Sequence, residues 1–456
     1  MKVALIQPTK DSCQTIPFTI GYLASYLEKY NIEVMLIDEA AHDSVEEILM
    51  YYHPEIIGIT CTTLIAPRAY SIIKWIKKNT NAYLIMGGVH ASALPEEVFA
   101  LGVDCVVAGE GEKALLQIIK DPNKYYKQVV IDPLEIENLD ELPSPAFHKM
   151  HIESYYVHAR QLFPKSLWRF APRGARVGSI LSSRGCPYRC IFCVNSIRSY
   201  QARSNSIDRM LAEIEYFVSQ HKAQYFFFPE DDFFCNKTRF LLFAEELKKY
   251  FPKIKYYAQA GAKFLDDEIL LAAKRSGCVQ VGIGFESGSE RILNYLKRGF
   301  VTVEDNKRAV ELCRKHKMKL FGNFIIGAPN EERSDLELTR KFIFENKIDD
   351  AAVSMLMPFP GTELWHQCLK KGIISKSENN WERWNLYSHN FSICRAVGEA
   401  ELAQFIGAIN KHFYYRNCDM NIKYKLFKEK CVDSLRKFTP KLVKKIYREV
   451  SGSGKQ

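Results

Sequence analysis

The chain has 456 residues, too many for one ordinary hydrophobic core, so its length predicts two or three domains. Hydrophobic residues make up 47% of it and charged residues 25%, which is typical of a globular protein and excludes a low-complexity or disordered chain. The formal net charge of +10 is unevenly spread, because the C-terminal tail is rich in Lys and Arg.

No run of residues approaches the ~20 consecutive apolar positions that a membrane helix needs. The opening MKVALIQPTKD is typical of a first strand rather than a signal peptide, because its apolar core spans only about five residues. We therefore expect a cytoplasmic protein with no membrane span.

Five short apolar runs alternate with amphipathic stretches over the first part of the chain. The runs are KVALIQP, EVMLIDE, IIGITCT, AYLIMGG and CVVAG. Strands that are apolar on both faces are typical of a parallel sheet covered by helices on both sides. Residues 1–135 are therefore predicted to form a Rossmann-like, doubly wound α/β domain, whose ligands would bind beyond the carboxyl ends of the strands.

A second series of strands and helices follows a less periodic linker over residues 136–175. Its predicted strands are VGSILSS, AQYFFFPE, KYYAQAG, VQVGIGFES, KLFGNFIIGAP and AAVSMLMP. Six such units are too few for a closed eight-stranded barrel, so residues 176–370 are predicted to form a partial (β/α)6 barrel. Residues 371–456 are predicted to be mostly helical. They end in a basic amphipathic helix whose apolar residues are Leu435, Phe438, Leu442 and Ile446.

Three cysteines lie within eight residues, directly after the first strand of the second series. Cys186, Cys190 and Cys193 have the spacing C-x3-C-x2-C in RGCPYRCIFC, whereas the other ten of the thirteen cysteines are dispersed. Cysteine thiolates bind iron–sulfur clusters or zinc, both of which usually have four ligands. Three thiolates on a four-iron cluster leave one iron free to bind a further molecule. A zinc site completed by a distant Cys or His is the alternative that the spacing leaves open.

RGCPYRCIFC resembles the signature of the radical S-adenosylmethionine (SAM) enzymes, and later segments resemble further motifs of that superfamily. In chain order they are PEDDFF, GIGFESGSERIL with KRG, GNFIIGAPNE and PFPGTEL, each at the end of a predicted strand. The resemblance covers roughly residues 177–365. It implies that the three cysteines hold a [4Fe–4S] cluster, that SAM binds the fourth iron, and that reduction of SAM gives a 5′-deoxyadenosyl radical.

The same resemblance assigns residues to the SAM site. They are Phe192, Asp231, Asp232, Glu286, Ser287 and Gly327. Either aspartate is expected to accept a charge-assisted hydrogen bond from the ammonium group of SAM, and Glu286 with Ser287 to hold the ribose hydroxyls. The backbone near Gly327 and the ring of Phe192 are expected at the adenine. Helix capping is the structural alternative for each acid, because Asp and Glu are common after strands of this kind.

The first domain resembles the cobalamin-binding domain that precedes the radical SAM core in one branch of the superfamily. The resemblance is carried by TCTTL, GGVHAS and AGEGE, each at a strand end, and by the join LDELPSPAF. The residues that it implies in cobalamin binding are Thr60, Thr62, Thr63, Gly87, Gly88, His90, Gly109 and Gly111. Glycine at 87 and 88 would let a flat corrin approach the strand end. The D-x-H-x-x-G pattern of many cobalamin proteins is absent, since His42 stands at the wrong offset from Asp38, and we expect neither His42 nor His90 on cobalt.

Together these resemblances imply a cobalamin-dependent radical SAM C-methyltransferase, which methylates an unactivated carbon through the 5′-deoxyadenosyl radical and methylcobalamin. A cyclase or rearrangement enzyme of the same branch, which does not methylate, is the alternative. The tRNA methylthiotransferases also join a parallel first domain to a radical SAM core. Cys13 and Cys61 match two of the three cysteines of their first domain, but Gly88 stands where the third is needed. A non-catalytic corrinoid- or SAM-sensing module is a further class, against which the intact cysteine triplet argues.

A cluster with an exposed iron requires an electron donor, and flavodoxin or ferredoxin is the expected one. The sequence leaves the substrate open, either a small molecule or a peptide or protein side chain, and we expect no nucleic-acid partner. Aromatic residues of the C-terminal part could line the substrate site, although their spacing is more typical of a core. They are Trp365, Trp381, Trp384, Tyr387, Tyr414 and Tyr415.

Overall fold

The computed structural model describes residues 1–9, 16–41, 43–131, 136–155, 170–172, 174–197, 202–375, 377–384 and 391–417. Of these, the side chains of residues 196–197 and 414–417 are not described. Cys13, His42, Tyr387 and the predicted basic helix over residues 435–446 lie outside the described residues. In the part of the chain that is described, no helix is long and apolar enough to cross a membrane.

Six parallel strands form the first sheet. They are β1 Lys2–Gln7, β2 Glu33–Asp38, β3 Ile56–Thr60, β4 Tyr83–Gly87, β5 Cys105–Ala108 and β6 Val129–Ile131. Their spatial order is β2-β1-β3-β4-β5-β6, which confirms the doubly wound sheet. The edge strand β6 was not predicted, because its side chains are largely exposed and no buried apolar run marks it. The order reverses between β1 and β3, so a crevice lies at the carboxyl ends of these two strands.

Helices cover both faces of this sheet. In the described residues they are α1 Phe18–Glu28, α2 Val45–Tyr52, α3 Ala66–Asn79, α4 Val89–Ala93, α5 Pro95–Ala100 and α6 Glu112–Lys120. The strand residues Ile6, Ile37, Ile57 and Leu84 are fully buried as a result. This explains why the strands are apolar throughout rather than alternating.

The segment predicted as a linker is packed against both halves of the protein. Leu139, Leu142 and Phe147 are buried. The guanidinium of Arg209, from the second half, donates to the carbonyls of Leu139 at 2.6 Å, Leu142 at 2.5 Å and Pro143 at 3.0 Å. The N–H of Ala146 in the same segment donates to the carbonyl of Gly21 in α1 at 3.0 Å, so the segment contacts both halves.

Six further parallel strands form the second sheet. They are β7 Arg176–Ser179, β10 Ala223–Phe228, β11 Lys255–Ala260, β12 Cys278–Glu286, β13 Lys319–Ile326 and β14 Asp350–Met355. The spatial order β14-β13-β12-β11-β10-β7 follows the chain without reversal. Strands β8 Ser183–Arg184 and β9 Arg203–Ser204 form a separate antiparallel pair. This is the predicted six-stranded partial barrel, open because its edge strands do not pair with each other.

The helices of the half barrel alternate with its strands. They are α7 Ile207–His221, α8 Lys237–Tyr250, α9 Asp267–Ser276, α10 Glu290–Lys297, α11 Val303–Lys315 and α12 Arg333–Glu345. A cluster of buried side chains, Tyr225, Phe227, Tyr257 and Phe321 with Ala175, fills part of the interior. Further along β13 and β14, Asn323 and Ser354 are partly exposed. The barrel is therefore open at the carboxyl ends of its strands.

The C-terminal part contains α13 Glu363–Lys370 and α14 Glu399–Asn417. Trp365, Trp381 and Trp384 are buried together, with centroids of Trp384 at 5.7 Å from Trp365 and 5.2 Å from Trp381. Phe391 stacks on Trp384 at 5.0 Å. These aromatic residues form a core, whereas Tyr387 and the side chains of Tyr414 and Tyr415 are outside the described part.

Candidate functional site

The three cysteines lie on a loop that follows β8 and is anchored on both sides. The N–H of Ile191 donates to the carbonyl of Leu296 in α10 at 3.0 Å, and its carbonyl accepts from the N–H of Leu364 in α13 at 2.9 Å. The buried ring of Tyr188 packs edge-on against two phenylalanine rings, at centroid distances of 5.5 and 4.8 Å. The loop is thus held by three separate elements.

The three thiols form no disulfide and are partly buried. Burial raises the pKa of Cys190 to about 12 and that of Cys193 to about 11, and it raises the pKa of Cys186 well above its ordinary range. Because the thiolate is the metal-binding form, iron must displace these protons when it binds.

The predicted acids lie near these thiols. Asp231 and Asp232 act electrostatically on Cys186, and Glu286 acts on the other two thiols. The carboxyl ends of β10 and β12 therefore bring together the cysteine triplet and three of the predicted SAM-site side chains.

No group of three His, Cys, Asp or Glu side chains converges closely enough to hold a single metal ion, within the residues that the structure describes. The three cysteine thiols likewise do not converge on one point in the described residues. A [4Fe–4S] cluster binds each thiolate through a different iron, so it does not require the three sulfurs to meet at one point.

The two neighbouring aspartates have different environments. Asp232 is buried, accepts from the N–H groups of Phe234 at 3.1 Å and Gly261 at 2.9 Å, and has its pKa raised by burial to about 7. Asp231 is exposed and accepts from the side-chain amide of Asn195 at 2.6 Å. Asp232 therefore holds the strand ends in place, and Asp231 faces the open mouth of the barrel beside the cysteine loop.

Gly261 offers a direct test of this packing. A Cβ atom there would lie 1.8 Å from the Tyr188 hydroxyl and 2.5 Å from Asp232 Oδ2, although its φ of −81° suits any residue. We expect Gly261→Ala to displace the cysteine loop and so to lower the iron content after reconstitution. The rate of 5′-deoxyadenosine formation should fall by about 100-fold.

The matched control is Gly407→Ala in α14, where an added Cβ meets no atom within 4 Å. It should keep full iron content and gain about 0.5–1 kcal/mol of stability from the better helix former. Equal iron content in the two variants would contradict the packing argument.

Glu286 ends β12 in an unusual way. Its φ is +59°, at an irregularity in the pairing with β13. Its Oε1 lies 3.2 Å from Nζ of Lys297, which also donates to the carbonyl of Gly284 at 2.6 Å. Burial disfavours the charged lysine, but Glu286 and the thiol of Cys190 outweigh it and raise its pKa. Lys297 is thus a buried cation beside the thiols.

The other predicted SAM-site residues are placed differently. Ser287 is fully buried and its hydroxyl bonds to that of Thr339 at 3.1 Å, so its side chain does not reach the open site. Phe192 is partly buried against the core. Gly327 has φ +95° and its N–H donates to Glu331 Oε2 at 2.5 Å. The carboxylate of Glu331 therefore shapes the turn that leaves β13.

A cavity of about 230 Å³ lies in the first domain at the reversal point of the sheet. The residues of β1, β3, β4 and β5 that line it include Leu5, Gly58, Ile85 and Val107. Helices α1 and α6 form its sides, and Leu181 and Arg184 of the second half also line it. The cavity therefore lies against both domains.

Six of the eight predicted cobalamin residues line this cavity. They are Thr60, Thr62, Gly87, Gly88, Gly109 and Gly111. An added Cβ at Gly87 would make only ordinary contacts, at 3.6 Å or more, so glycine here leaves space. Gly88 has φ +93°, and a Cβ there would lie 2.5 Å from the carbonyl oxygen of Cys61. The backbone packing alone therefore explains glycine at 88.

The side chains of Thr63 and His90 do not line the cavity. His90 is fully buried, with Nδ1 at 3.1 Å from the Thr63 hydroxyl and Nε2 at 2.7 Å from the Tyr70 hydroxyl. Tyr70 and the indole N–H of Trp381 both donate to Glu97 Oε1 at 2.7 Å. Burial lowers the pKa of His90 to about 4. In this structure Thr63 and His90 thus belong to a hydrogen-bonded group that joins the first domain to the C-terminal part.

Arg184 connects the cavity with the cysteine loop. Its guanidinium pairs with Glu110 at 2.9 Å and with Glu112 at 2.7 Å, and it lies 4.7 Å from the ring centroid of Tyr22. It stands two positions before Cys186 in the chain. One partly buried side chain thus lines the cavity and precedes the first thiol.

Sequence reasoning missed Arg184 and Lys297, although both stand inside the motifs that it used. Arg184 opens RGCPYRC and Lys297 opens KRG. The signal was a basic residue beside an apolar run, which is also what an exposed helix end or loop would show. Glu331 likewise ends the motif GNFIIGAPNE, whereas Asn195 lies outside the quoted motifs.

Two family models match the chain. The B12 binding domain matches residues 13–119 and the radical SAM superfamily matches residues 180–343. The chain is 28% identical over 415 residues to the uncharacterized methyltransferase PH0819 of Pyrococcus horikoshii, covering 84% of this chain and 86% of that protein.

Two further relatives have named reactions. The bacteriochlorophyllide d C-12(1)-methyltransferase of Chlorobaculum tepidum is 26% identical over 420 residues, covering 89% of this chain and 86% of that protein. The anaerobic magnesium-protoporphyrin IX monomethyl ester cyclase of Rubrivivax gelatinosus is 26% identical over 382 residues, covering 77% and 66%. Similar chains therefore include both methyltransferases and a cyclase.

A solved structure shares the fold. The radical SAM methyltransferase TsrM from Kitasatospora setae superimposes with a TM-score of 0.66 at 19% identity, covering 81% of this chain and 78% of that one. The chain therefore contains both a B12 binding domain and a radical SAM domain.

Proposed function

We propose that this radical SAM enzyme is a cobalamin-dependent C-methyltransferase. The observation that carries the proposal is that a residue lining the cavity of the first sheet lies next to the cysteine loop in the chain. Arg184 lines the cavity and stands two residues before Cys186. A methyl group held at one site could therefore meet a substrate carbon activated at the other.

The residues present fit the groups that this function requires. Three thiols on one anchored loop suit a [4Fe–4S] cluster with an open iron. The exposed Asp231 at the barrel mouth suits the ammonium group of SAM. The cavity, lined by apolar strand residues, glycines and a few polar side chains, suits the tail and edge of a cobalamin.

When bound, cobalamin supplies the methyl group, and the cluster with SAM supplies the radical that activates the substrate carbon. The chain's own contribution is to position these groups and to exclude water. Cys186, Cys190 and Cys193 would hold the iron, and Lys297 would keep a positive charge beside them. Glu286 would be oriented by Lys297, which fixes one of its carboxylate oxygens.

The proposal is tested on protein reconstituted anaerobically with iron, sulfide and hydroxocobalamin, then given methyl-deuterated SAM and a strong reductant. Mass spectrometry follows 5′-deoxyadenosine, S-adenosylhomocysteine and the label on cobalamin. We expect both nucleosides and labelled methylcobalamin. Protein that binds no cobalamin would refute the proposal.

A cyclase or rearrangement enzyme is the second candidate, and the similarity to the Rubrivivax cyclase favours it. Such an enzyme would give 5′-deoxyadenosine without S-adenosylhomocysteine or labelled methylcobalamin. The same experiment therefore separates the two functions.

Turnover also requires an electron donor and a substrate. We propose flavodoxin or ferredoxin as donor, because the reaction needs one low-potential electron for each SAM cleaved. The substrate would enter at the open mouth of the half barrel, where Asn323 and Ser354 are partly exposed.

A further inference from the structure

Glu112 is the first residue of α6, and it lines the cavity of the first domain with its side chain almost wholly buried, at 3% exposure. Its Oε1 accepts from Arg184 at 2.7 Å. Its other carboxylate oxygen, Oε2, is buried and has no hydrogen-bond partner among the described residues. A buried acceptor without a donor is costly, and more so when the group is charged.

Its neighbour Glu110 provides a contrast in the same loop. Both carboxylate oxygens of Glu110 are occupied, one by Arg203 and the other by Arg184 at 2.9 Å. The two glutamates thus share Arg184 as a partner, and Glu110 is partly buried where Glu112 is buried. They differ in that Glu112, which lines the cavity, leaves one carboxylate oxygen without a donor among the described residues.

We propose that Glu112 binds the ligand of this cavity through Oε2, accepting a hydrogen bond from a neutral N–H or O–H donor. The inference rests on the proposed function in taking that ligand to be cobalamin. Cobalamin carries two kinds of such donor, the primary amides around the corrin and the ribose hydroxyls of the nucleotide tail.

Arg184 makes the arrangement specific. Its guanidinium already neutralises Glu112, so the free oxygen needs a neutral donor and not a second cation. The lining combines apolar side chains, including Leu5, Ile85 and Val107, with the polar residues Thr60, Thr62 and Glu110. A fixed polar contact in a cavity that is largely apolar orients a ligand there.

The test measures the dissociation constant of hydroxocobalamin on the full chain with its cluster reconstituted, by absorbance titration. Glu112→Gln should weaken binding at least about tenfold, which is the loss of one hydrogen bond to a charged group. Glu110→Gln removes the same charge beside Arg184 but no free acceptor, and it should change the dissociation constant less than about twofold.

Cobinamide, which lacks the nucleotide tail, identifies the donor. A Glu112→Gln loss seen with hydroxocobalamin alone supports a tail hydroxyl, and a loss seen with both ligands supports a corrin amide. If Glu112→Gln does not fold, Glu112→Asp replaces it. That variant keeps the charge and withdraws the oxygen by one methylene, and it should show the same weakening.

Three outcomes would overturn the inference. Wild-type binding with no effect of Glu112→Gln or Glu112→Asp would remove Glu112 from the site. Equal losses in Glu112→Gln and Glu110→Gln would assign the effect to the ion pairs of Arg184. Wild-type protein that binds neither corrinoid would refute the proposed function itself.

Discussion

Replacing any one of Cys186, Cys190 and Cys193 by serine should abolish 5′-deoxyadenosine formation and remove most of the iron bound after anaerobic reconstitution. A serine hydroxyl is a far weaker iron ligand than a thiolate, which is the soft donor that iron–sulfur clusters select. The loop is anchored through the Ile191 backbone and the Tyr188 ring. The variants should therefore fold normally, and the loss should be specific to the cluster.

Cys235 is the matched control. It is a partly buried thiol that acts electrostatically on Tyr188 of the same loop, yet it lies outside the C-x3-C-x2-C spacing. Cys235→Ser should keep iron content, the electron paramagnetic resonance signal of the reduced cluster and SAM cleavage at wild-type levels.

The comparison also tests the open iron. If Cys235→Ser lost iron as the triplet variants do, the cluster would have four thiolate ligands and no position for SAM. If one triplet variant kept both iron and SAM cleavage, the cluster would not be held as the spacing implies. Iron analysis and mass spectrometry of the nucleosides decide both points.

The fold could be predicted because its strands are marked by strong local patterns. Strands β1 to β5 and the six strands of the half barrel are apolar runs bounded by turn residues, and parallel sheets with buried faces require such runs. Strand β6 was not predicted, because Val129 and Ile131 are exposed at a sheet edge. The packing of the segment around Leu139 was not predicted either, since it depends on carbonyls that accept from Arg209, about 70 positions away in the chain.

The candidate site was predictable only where a motif fixes the chemistry. The cysteine triplet and the acid motif of β10 are local patterns, and the structure brings them together. Ser287 and His90 show the limit, because sequence alone cannot tell a strand-end side chain that faces the site from one that faces the core. Ser287 bonds to Thr339, and His90 to Tyr70. Lys297 is buried by tertiary contacts, which no local pattern records.

Lys297→Met should destabilise the half barrel by about 3–5 kcal/mol, because it leaves the carboxylate of Glu286 buried without its cation. The side chains of Lys297 and Glu286 are only 7% and 10% exposed, and their charged atoms are 3.2 Å apart. The change also removes the donor to the Gly284 carbonyl. Glu286 already has a left-handed backbone, so we expect the end of β12 to loosen.

An exposed pair on α11 is the control. Lys307 lies 3.6 Å from Glu304, with the two side chains 50% and 83% exposed. Lys307→Met removes a cation of the same kind and should cost about 0–1 kcal/mol, as exposed ion pairs do. Urea denaturation of the cluster-free full chain, followed by circular dichroism, compares the midpoints of the two variants.

A double variant separates the effect of the uncompensated Glu286 charge from the effect of losing the lysine side chain. Lys297→Met with Glu286→Gln removes the uncompensated charge, so it should regain about half of the stability that Lys297→Met loses. The gain identifies the buried carboxylate as the source of the destabilisation. Two outcomes would show that the pair does not hold the strand end. In the first, Lys297→Met shifts the midpoint no more than Lys307→Met. In the second, the double variant loses more stability than the summed losses of the two single variants. Lys297 would then act on the thiols alone, and its replacement would change the reduction potential of the cluster without changing the stability of the protein.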